Sequence, residues 1–105
     1  MKKEQILKHT KKLLAEKFPD RIDRVVLFGS RADETHKDYS DYDFLVILKT
    51  DYDWVFENKI VDACYEIDLE YGIVTDIKII SQKELNTIRG KEPYIIDALN
   101  RGIFA

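Results

Sequence analysis

The sequence has little of what secreted, membrane-bound or zinc-dependent proteins require. Cys64 is the only cysteine among 105 residues, so no internal disulfide can form, which fits a reducing cytoplasm. The histidines, His9 and His36, form no cluster with cysteine, so no zinc site is expected and neither is assigned a functional role. No apolar run approaches the length of a membrane span, and the lysine-rich N-terminus has no signal-peptide core. We therefore expect a cytoplasmic protein that does not bind membranes.

An excess of basic residues is also missing. The chain has 17 Lys and Arg against 20 Asp and Glu, a net charge of −3, whereas proteins that follow phosphate backbones present a basic surface. A nucleic-acid partner is therefore not expected. The chain contains no repeat, low-complexity tract or linker, and its length is enough for one compact domain. We interpret residues 1–105 as a single domain.

Apolar periodicity predicts alternating helices and strands. Two apolar runs, Val25–Phe28 and Phe44–Leu48, indicate buried strands. The full prediction is helices over Lys3–Lys17, Trp54–Tyr71, Ser81–Ile88 and from Pro93 onward, and strands over Arg24–Phe28, Asp43–Leu48 and Ile73–Ile80. In the long helix a stripe that is mostly a core face is expected to hold Val61, Cys64, Asp68 and Tyr71, with Ile60, Ile67 and Trp54 beside it. Cys64 is expected to be a packing residue rather than a nucleophile.

Gly29 and Ser30 end the first strand and lead into a polar segment. Glycine permits a close backbone approach, and serine is a good helix N-cap. A strand that passes through Gly-Ser into a helix exposes backbone N–H groups that suit a phosphate. Ser30 is not expected to be a nucleophile, because it has neither a neighbouring histidine nor a glycine elbow. Arg31 has two open interpretations, a contact to phosphate or a structural ion pair.

Asp41 and Asp43 stand two residues apart at the mouth of the second strand. Residues i and i+2 of a strand point to the same face, with Cα atoms about 6.6 Å apart. The two carboxylates can therefore reach a common metal ion, which would also offset their repulsion. An EF-hand is excluded, because no glycine or terminal glutamate occurs at the required spacing.

The same tripeptide, Asp-Tyr-Asp, recurs at 51–53, but there it precedes a helix rather than a strand. Acids suit a helix N-terminus, so we assign this second pair a structural role. Asp76 lies inside the apolar third strand and has two open interpretations. It is either a charge on an edge strand or a third metal ligand that faces Asp41 and Asp43 from the neighbouring strand.

Together these features are similar to those of the nucleotidyltransferase superfamily that includes DNA polymerase beta. The shared features are a Gly-Ser turn, ten intervening residues, an Asp-x-Asp pair with apolar flanks and an acid on a later strand, here Gly29, Ser30, Asp41, Asp43 and Asp76. The closer resemblance is to the minimal nucleotidyltransferases that are antitoxins of HEPN toxins. It includes the GSRA and SDYDFLV segments and the closing Asn100–Ile103.

This resemblance implies an α/β (α+β) fold with a short mixed sheet and helices packed against it. It implies that Gly29 and Ser30 hold the triphosphate of ATP. Asp41, Asp43 and Asp76 would bind two magnesium ions, and Asp76 would help to activate the attacking hydroxyl. Carboxylate oxygens suit magnesium, and two ions about 3.5–4 Å apart can stabilise both the entering and the leaving oxygen of an in-line displacement. The implied reaction transfers AMP to a tyrosine of a HEPN toxin and releases pyrophosphate.

Three functions stay open at this level. The first is a protein-modifying enzyme, whose site is completed by the acceptor protein or within an oligomer. The second is an antitoxin that neutralises its toxin by contact alone, with the acids serving only as charge. The third is nucleotide transfer to a small molecule or an RNA end, against which the acidic balance argues. We favour the first.

Overall fold

The computed structural model describes residues 2–35 and 40–105, in which four strands form one mixed sheet. The helices are α1 (Lys2–Lys17), α2 (Ser30–Asp33), α3 (Trp54–Tyr71) and α4 (Pro93–Arg101), and two 3₁₀ helices cover Lys83–Asn86 and Ile88–Lys91. The strands are β1 (Ile22–Phe28), β2 (Tyr42–Leu48), β3 (Thr75–Ser81) and β4 (Ile103–Phe104). No helix in the two described ranges is both long and apolar enough to cross a membrane. The predicted fold class, a mixed sheet with helices, is confirmed.

The four strands lie in the order β3-β2-β1-β4. β1 pairs antiparallel with both β2 and β4, whereas β2 and β3 run parallel. A parallel pair needs a crossover connection, and α3 is that connection. The first residues of β2 and β3 therefore lie at the same end of the sheet, next to the last residue of β1.

Helices cover both faces of the sheet, which explains why β2 is apolar on nearly every residue. On one face, α1 and α3 pack over Phe44 and Val46. On the other face, α4 packs over Leu45 and Ile47. Phe44 and Leu45 are fully buried, and burial of an apolar side chain of this size contributes about 1.5–3 kcal/mol. The core thus fixes β2 at the centre of the molecule.

The third strand begins at Thr75 rather than at the predicted Ile73. Gly72 ends α3 in a left-handed conformation, with φ of +63°. Asp68 Oδ1 then accepts hydrogen bonds from the Thr75 N–H (3.2 Å) and hydroxyl (2.7 Å). The end of α3 therefore delays the strand by two residues.

The predicted capping pattern at Ser81 is confirmed. The Ser81 N–H donates to Glu84 Oε1 (3.0 Å), and the Glu84 N–H donates to Ser81 Oγ (3.2 Å). The helix that follows is a 3₁₀ helix that ends at Asn86, so the predicted end at Ile88 was wrong. The Thr87 hydroxyl donates to the Glu84 carbonyl (2.6 Å), which closes the turn.

The prediction that Trp54 and Val61 face the core was wrong, because α3 carries apolar residues on two sides. The exposed fractions of Trp54 and Val61 are 72% and 45%. The core stripe consists of Ile60, Cys64 and Ile67, which are fully buried. Burial raises the pKa of the Cys64 thiol to about 12, so the thiol is neutral at physiological pH. This placement confirms Cys64 as a packing residue.

The structural role predicted for the 51–53 acids is confirmed at Asp53. Asp53 is the N-cap of α3, and its Oδ1 accepts a hydrogen bond from the Phe56 N–H (2.9 Å). Asp51, two residues earlier, takes part through its backbone carbonyl, which accepts from Arg21 Nη2 (3.2 Å). Only the Asp53 side chain therefore caps the helix.

Replacing this cap should weaken the fold and leave the rest of the molecule intact. We expect Asp53→Ala to lower the free energy of unfolding by about 1 kcal/mol, the usual cost of losing an N-cap side chain. Asp51→Ala, the matched control, should stay within about 0.5 kcal/mol of the wild type. Urea denaturation of the three proteins measures both values. Equal losses in the two variants would contradict the assignment of the cap to Asp53.

Candidate active site

The predicted site residues lie where β1 ends and β2 and β3 begin. The register of the parallel pair places Asp43 directly opposite Asp76. The antiparallel pair places Phe28 opposite Asp43, so Gly29 comes next to it. Neighbouring strands lie about 4.8 Å apart and paired residues share a face, so Asp43 and Asp76 stand side by side.

Asp41 joins this pair from the segment that precedes β2. It is exposed and lies two residues before Asp43. The pKa of Asp43 is raised by its partial burial and by the negative charges of Asp76 and Asp41. Within the described sheet β3 is an edge strand, as one interpretation of Asp76 expected, and Asp76 faces Asp43 from it. Its role as a metal ligand stays a prediction.

Gly29 brings the backbone against the Asp43 carboxylate. Its φ of +74° and ψ of −156° belong to a region that is essentially open to glycine alone. A Cβ atom at this position would collide with Asp43 Oδ2. Gly29 also occupies the N-cap of α2, so the prediction that Ser30 is the N-cap was wrong by one residue. The Ser30 N–H has no hydrogen-bond partner in the part of the chain that the structure describes, as expected of an N–H open to an anion.

Arg31 holds the two sides of the site together. Its Nε and Nη2 atoms donate to the Ser40 carbonyl (3.1 and 3.0 Å), and its guanidinium lies 4.5 Å from the ring centroid of Tyr42. These contacts to a carbonyl and an aromatic ring give Arg31 a structural role. Its contact to phosphate stays a prediction. His36, predicted to be without function, lies outside the described residues.

Sequence reasoning missed Lys78. Its Nζ atom lies 3.3 Å from Asp76 Oδ1. Its positive charge lowers the pKa of Asp43 and so opposes the rise caused by burial and by the charges of the two other acids. Lys78 follows Asp76 by two residues on the same strand, so the period of two places it on the same face. That spacing was the signal available in the sequence.

The acids offer the kind of ligand that a divalent cation such as magnesium prefers. Magnesium takes hard oxygen ligands, and Asp43 and Asp76 present carboxylates on adjacent strands. Their repulsion, and the ammonium of Lys78 beside Asp76, indicate that a positive charge is stabilised here. The side chains do not form a finished cage: within 2–35 and 40–105, no three His, Cys, Asp or Glu side chains are grouped as ligands of one ion. Asp41 would have to complete the set from the exposed rim.

The sequence matches a protein-family model and curated relatives. The model of the nucleotidyltransferase domain matches residues 7–104. Two curated relatives come from Methanocaldococcus jannaschii. The one named "Putative protein adenylyltransferase MJ0604" is 31% identical over 86 residues, which is 82% of this chain and 81% of the relative. The one named "Putative protein adenylyltransferase MJ0141" is 32% identical over 83 residues, 79% of this chain and 83% of the relative.

Solved structures share the fold. A mutant of the toxin–antitoxin MntA-HpeT superposes with a TM-score of 0.60 at 16% identity, covering 89% of this chain. A toxin–antitoxin crystallised with AMP-PNP superposes with a TM-score of 0.58 at 18% identity, also over 89% of this chain. This chain spans 66% of each of those chains.

The collision at Gly29 can be separated from simple backbone strain. We expect Gly29→Ala to displace Asp43 and to cost about 1–3 kcal/mol of stability. Gly72→Ala is the matched control, because Gly72 also has positive φ but a Cβ there meets nothing within 4 Å; its cost should be about 1 kcal/mol. Chemical denaturation gives the energies, and the amide shifts of residues 41–43 report the site. Unchanged shifts in Gly29→Ala would contradict the collision.

Proposed function

Because the chain belongs to the nucleotidyltransferase domain family, we propose that it transfers a nucleoside monophosphate, AMP from ATP, to a hydroxyl group of a partner protein. The observation that carries this proposal is the register that sets Asp43 beside Asp76, with Gly29 against the same carboxylate. Acids from two strands next to a glycine turn offer both cation ligands and a backbone N–H for phosphate.

Each residue has a distinct part in the proposed reaction. Asp41, Asp43 and Asp76 would hold two magnesium ions, which when bound neutralise the charge of the phosphates. The backbone at Gly29 and Ser30 would bind the triphosphate. The acceptor oxygen forms a bond to the α-phosphorus, the bond to the bridging oxygen of pyrophosphate breaks, and pyrophosphate leaves.

In this proposal Asp76 would take the proton of the acceptor hydroxyl. It lies on the outermost strand of the described sheet, so an acceptor can approach it from the open side. Its neighbour Lys78 holds one of its oxygens in the protein without nucleotide. Lys78 would be free to leave Asp76 if a bound cation compensated the charge of that carboxylate.

The proposed acceptor is a tyrosine of a HEPN-family toxin, which the modification would silence. Two kinds of similarity support a protein acceptor: the curated relatives are named as protein adenylyltransferases, and the solved neighbours are toxin–antitoxin pairs. AMP-PNP in one of those neighbours supports ATP as the nucleotide. We place the reaction in the cytoplasm, where ATP is available and a free thiol such as Cys64 stays reduced.

Replacing two of the acids tests whether transfer is catalysed here. We expect Asp41→Asn with Asp43→Asn to lower AMP transfer by at least about a hundredfold, since both charged ligands are lost. Asp53→Asn is the matched control, because it makes the same chemical change at a helix cap that asparagine also serves. The assay combines labelled ATP, magnesium and a HEPN-family toxin, the proposed acceptor, and intact mass identifies the product.

The same variants distinguish the enzyme from an antitoxin that acts by contact. An enzyme loses transfer and protection of cells together in the double variant. If the double variant still protects cells from the toxin, neutralisation does not depend on transfer and the proposed function is wrong.

A further inference from the structure

The strand β3 has a free edge directly behind the acid pair. The described sheet ends with β3, which is bonded to β2 on one side and to no strand on the other. The Tyr42 N–H donates to the Val74 carbonyl (2.9 Å), and the Gln82 N–H donates to the Leu48 carbonyl (2.8 Å). These bonds lie at the two ends of the parallel ladder and fix which residues of β3 direct their backbone N–H and C=O groups towards β2.

Backbone groups of successive strand residues point to opposite sides in the plane of the sheet. The even-numbered residues of β3, from Asp76 to Ile80, therefore direct their N–H and C=O groups to β2. The odd-numbered residues, from Thr75 to Ser81, direct theirs to the free edge. An unpaired edge of this kind is a template for another strand.

Side chains of the protein itself occupy this edge at both ends. At the start of the strand, the Thr75 N–H donates to Asp68 Oδ1 (3.2 Å). Near its end, the Ile79 carbonyl accepts from Arg89 Nη2 (2.9 Å) and from the Tyr52 hydroxyl (3.3 Å). The Ser81 N–H donates to Glu84 Oε1 (3.0 Å). These contacts limit where a further strand can add.

The middle of the edge stays open. The N–H and C=O of Ile77, the C=O of Thr75 and the N–H of Ile79 have no hydrogen-bond partner among the described residues. Ile77 directly follows Asp76 and is half-buried. The open groups therefore form a slot a few residues long, bounded by side-chain caps and adjacent to the acids.

We propose that an extended, hydroxyl-bearing segment of the acceptor protein adds to β3 at Ile77 as a further strand, and that this pairing delivers its hydroxyl to Asp76. This inference rests on the proposed function. Main-chain hydrogen bonds supply affinity in strand addition, and alternate side chains supply specificity. Here the Asp76 face of the added strand would carry the acceptor residue.

Strand geometry limits how the acceptor can reach Asp76. A residue directly opposite Asp76 has its Cβ atom about 4.5–5.5 Å away, and a diagonal residue about 7–8 Å away. A serine or threonine fits the first position and the longer tyrosine the second. A slip of one residue would turn the hydroxyl to the other face of the sheet. Transfer therefore requires one particular register of the added strand as well as a hydroxyl.

Charge restricts the segment further. Asp41, Asp43 and Asp76 lie on the face that the acceptor residue must join, and like charges opposite one another destabilise a sheet. Lys78 stands on the same face beside Asp76, so the segment is uncharged next to its hydroxyl. The other edge strand, β4, is two residues long and lies on the far side of β1 and β2 from Asp76, so it cannot place an acceptor there.

Amide hydrogen exchange of the labelled chain tests this pairing residue by residue. The probe is the peptide acetyl-Thr-Val-Thr-Val-Tyr-Val-Thr-amide at millimolar concentration, with AMP-PNP and magnesium present. We expect exchange of the outward Ile77 and Ile79 amides to slow by about tenfold, as expected for a gained hydrogen bond. The inward Asp76 and Lys78 amides are already bonded to β2 and serve as the internal control. Unchanged exchange at Ile77 and Ile79 overturns the proposal.

A pair of variants tests whether AMP transfer from ATP to the peptide tyrosine depends on the open backbone groups at Ile77. Ile77→Pro removes one outward N–H, which an edge strand tolerates because that group bonds to no neighbour. Ile77→Val keeps the N–H. We expect kcat/KM to fall about tenfold in Ile77→Pro and to stay within about twofold in Ile77→Val, with AMP-PNP affinity unchanged in both as the check of folding. Equal transfer by the two variants overturns the proposal.

The two measurements separate this inference from the proposed function. Protection of Ile77 and Ile79 without any transfer supports the pairing and counts against the nucleotidyltransferase activity. Transfer without protection keeps the activity and overturns the pairing. Peptides methylated on alternate backbone nitrogens add a control. Protection of Ile77 and Ile79 should be lost when the methylated nitrogens are the ones that face β3, and kept when they face away.

Discussion

Hydrogen bonds between the parallel strands β2 and β3 fix the register that sets Asp43 opposite Asp76. A slip of one residue would turn Asp76 to the face covered by α1 and α3, where a carboxylate would be buried in the apolar core. The correct register instead crowds like charges at the end of the sheet, which raises the pKa of Asp43. The buried side chains of β2 supply the stability that offsets this repulsion, and Lys78 reduces it.

Much of this arrangement could be predicted from the period of two along each strand. That period places Asp41 and Asp43 on one face, and the neighbouring context distinguishes them from the acids at 51–53. Lys78 obeys the same rule, because it follows Asp76 by two residues on the same strand. The contacts of Arg31 could not be predicted, because Ser40 and Tyr42 approach it only through the pairing of β1 with β2.

The third helix marks a different limit of sequence reasoning. Its exposed apolar residues, including Trp54 and Val61, lie on the side of α3 away from the core, and periodicity alone gives two apolar stripes without saying which one is buried. The choice depends on the crossover that carries α3 over one face of the sheet. That direction follows from the pairing of strands distant in sequence, which local pattern does not contain.

The crossover between β2 and β3 has a consequence for how the chain folds. Asp43 and Asp76 are 33 positions apart, whereas β1 and β2 form a local antiparallel hairpin. Closing a longer loop costs more entropy and slows the contacts it brings together. We expect the hairpin to form early and the parallel pairing late, so a nascent or partly folded chain would present Gly29 and Asp43 without Asp76. The three acids would then come together only in the last step of folding.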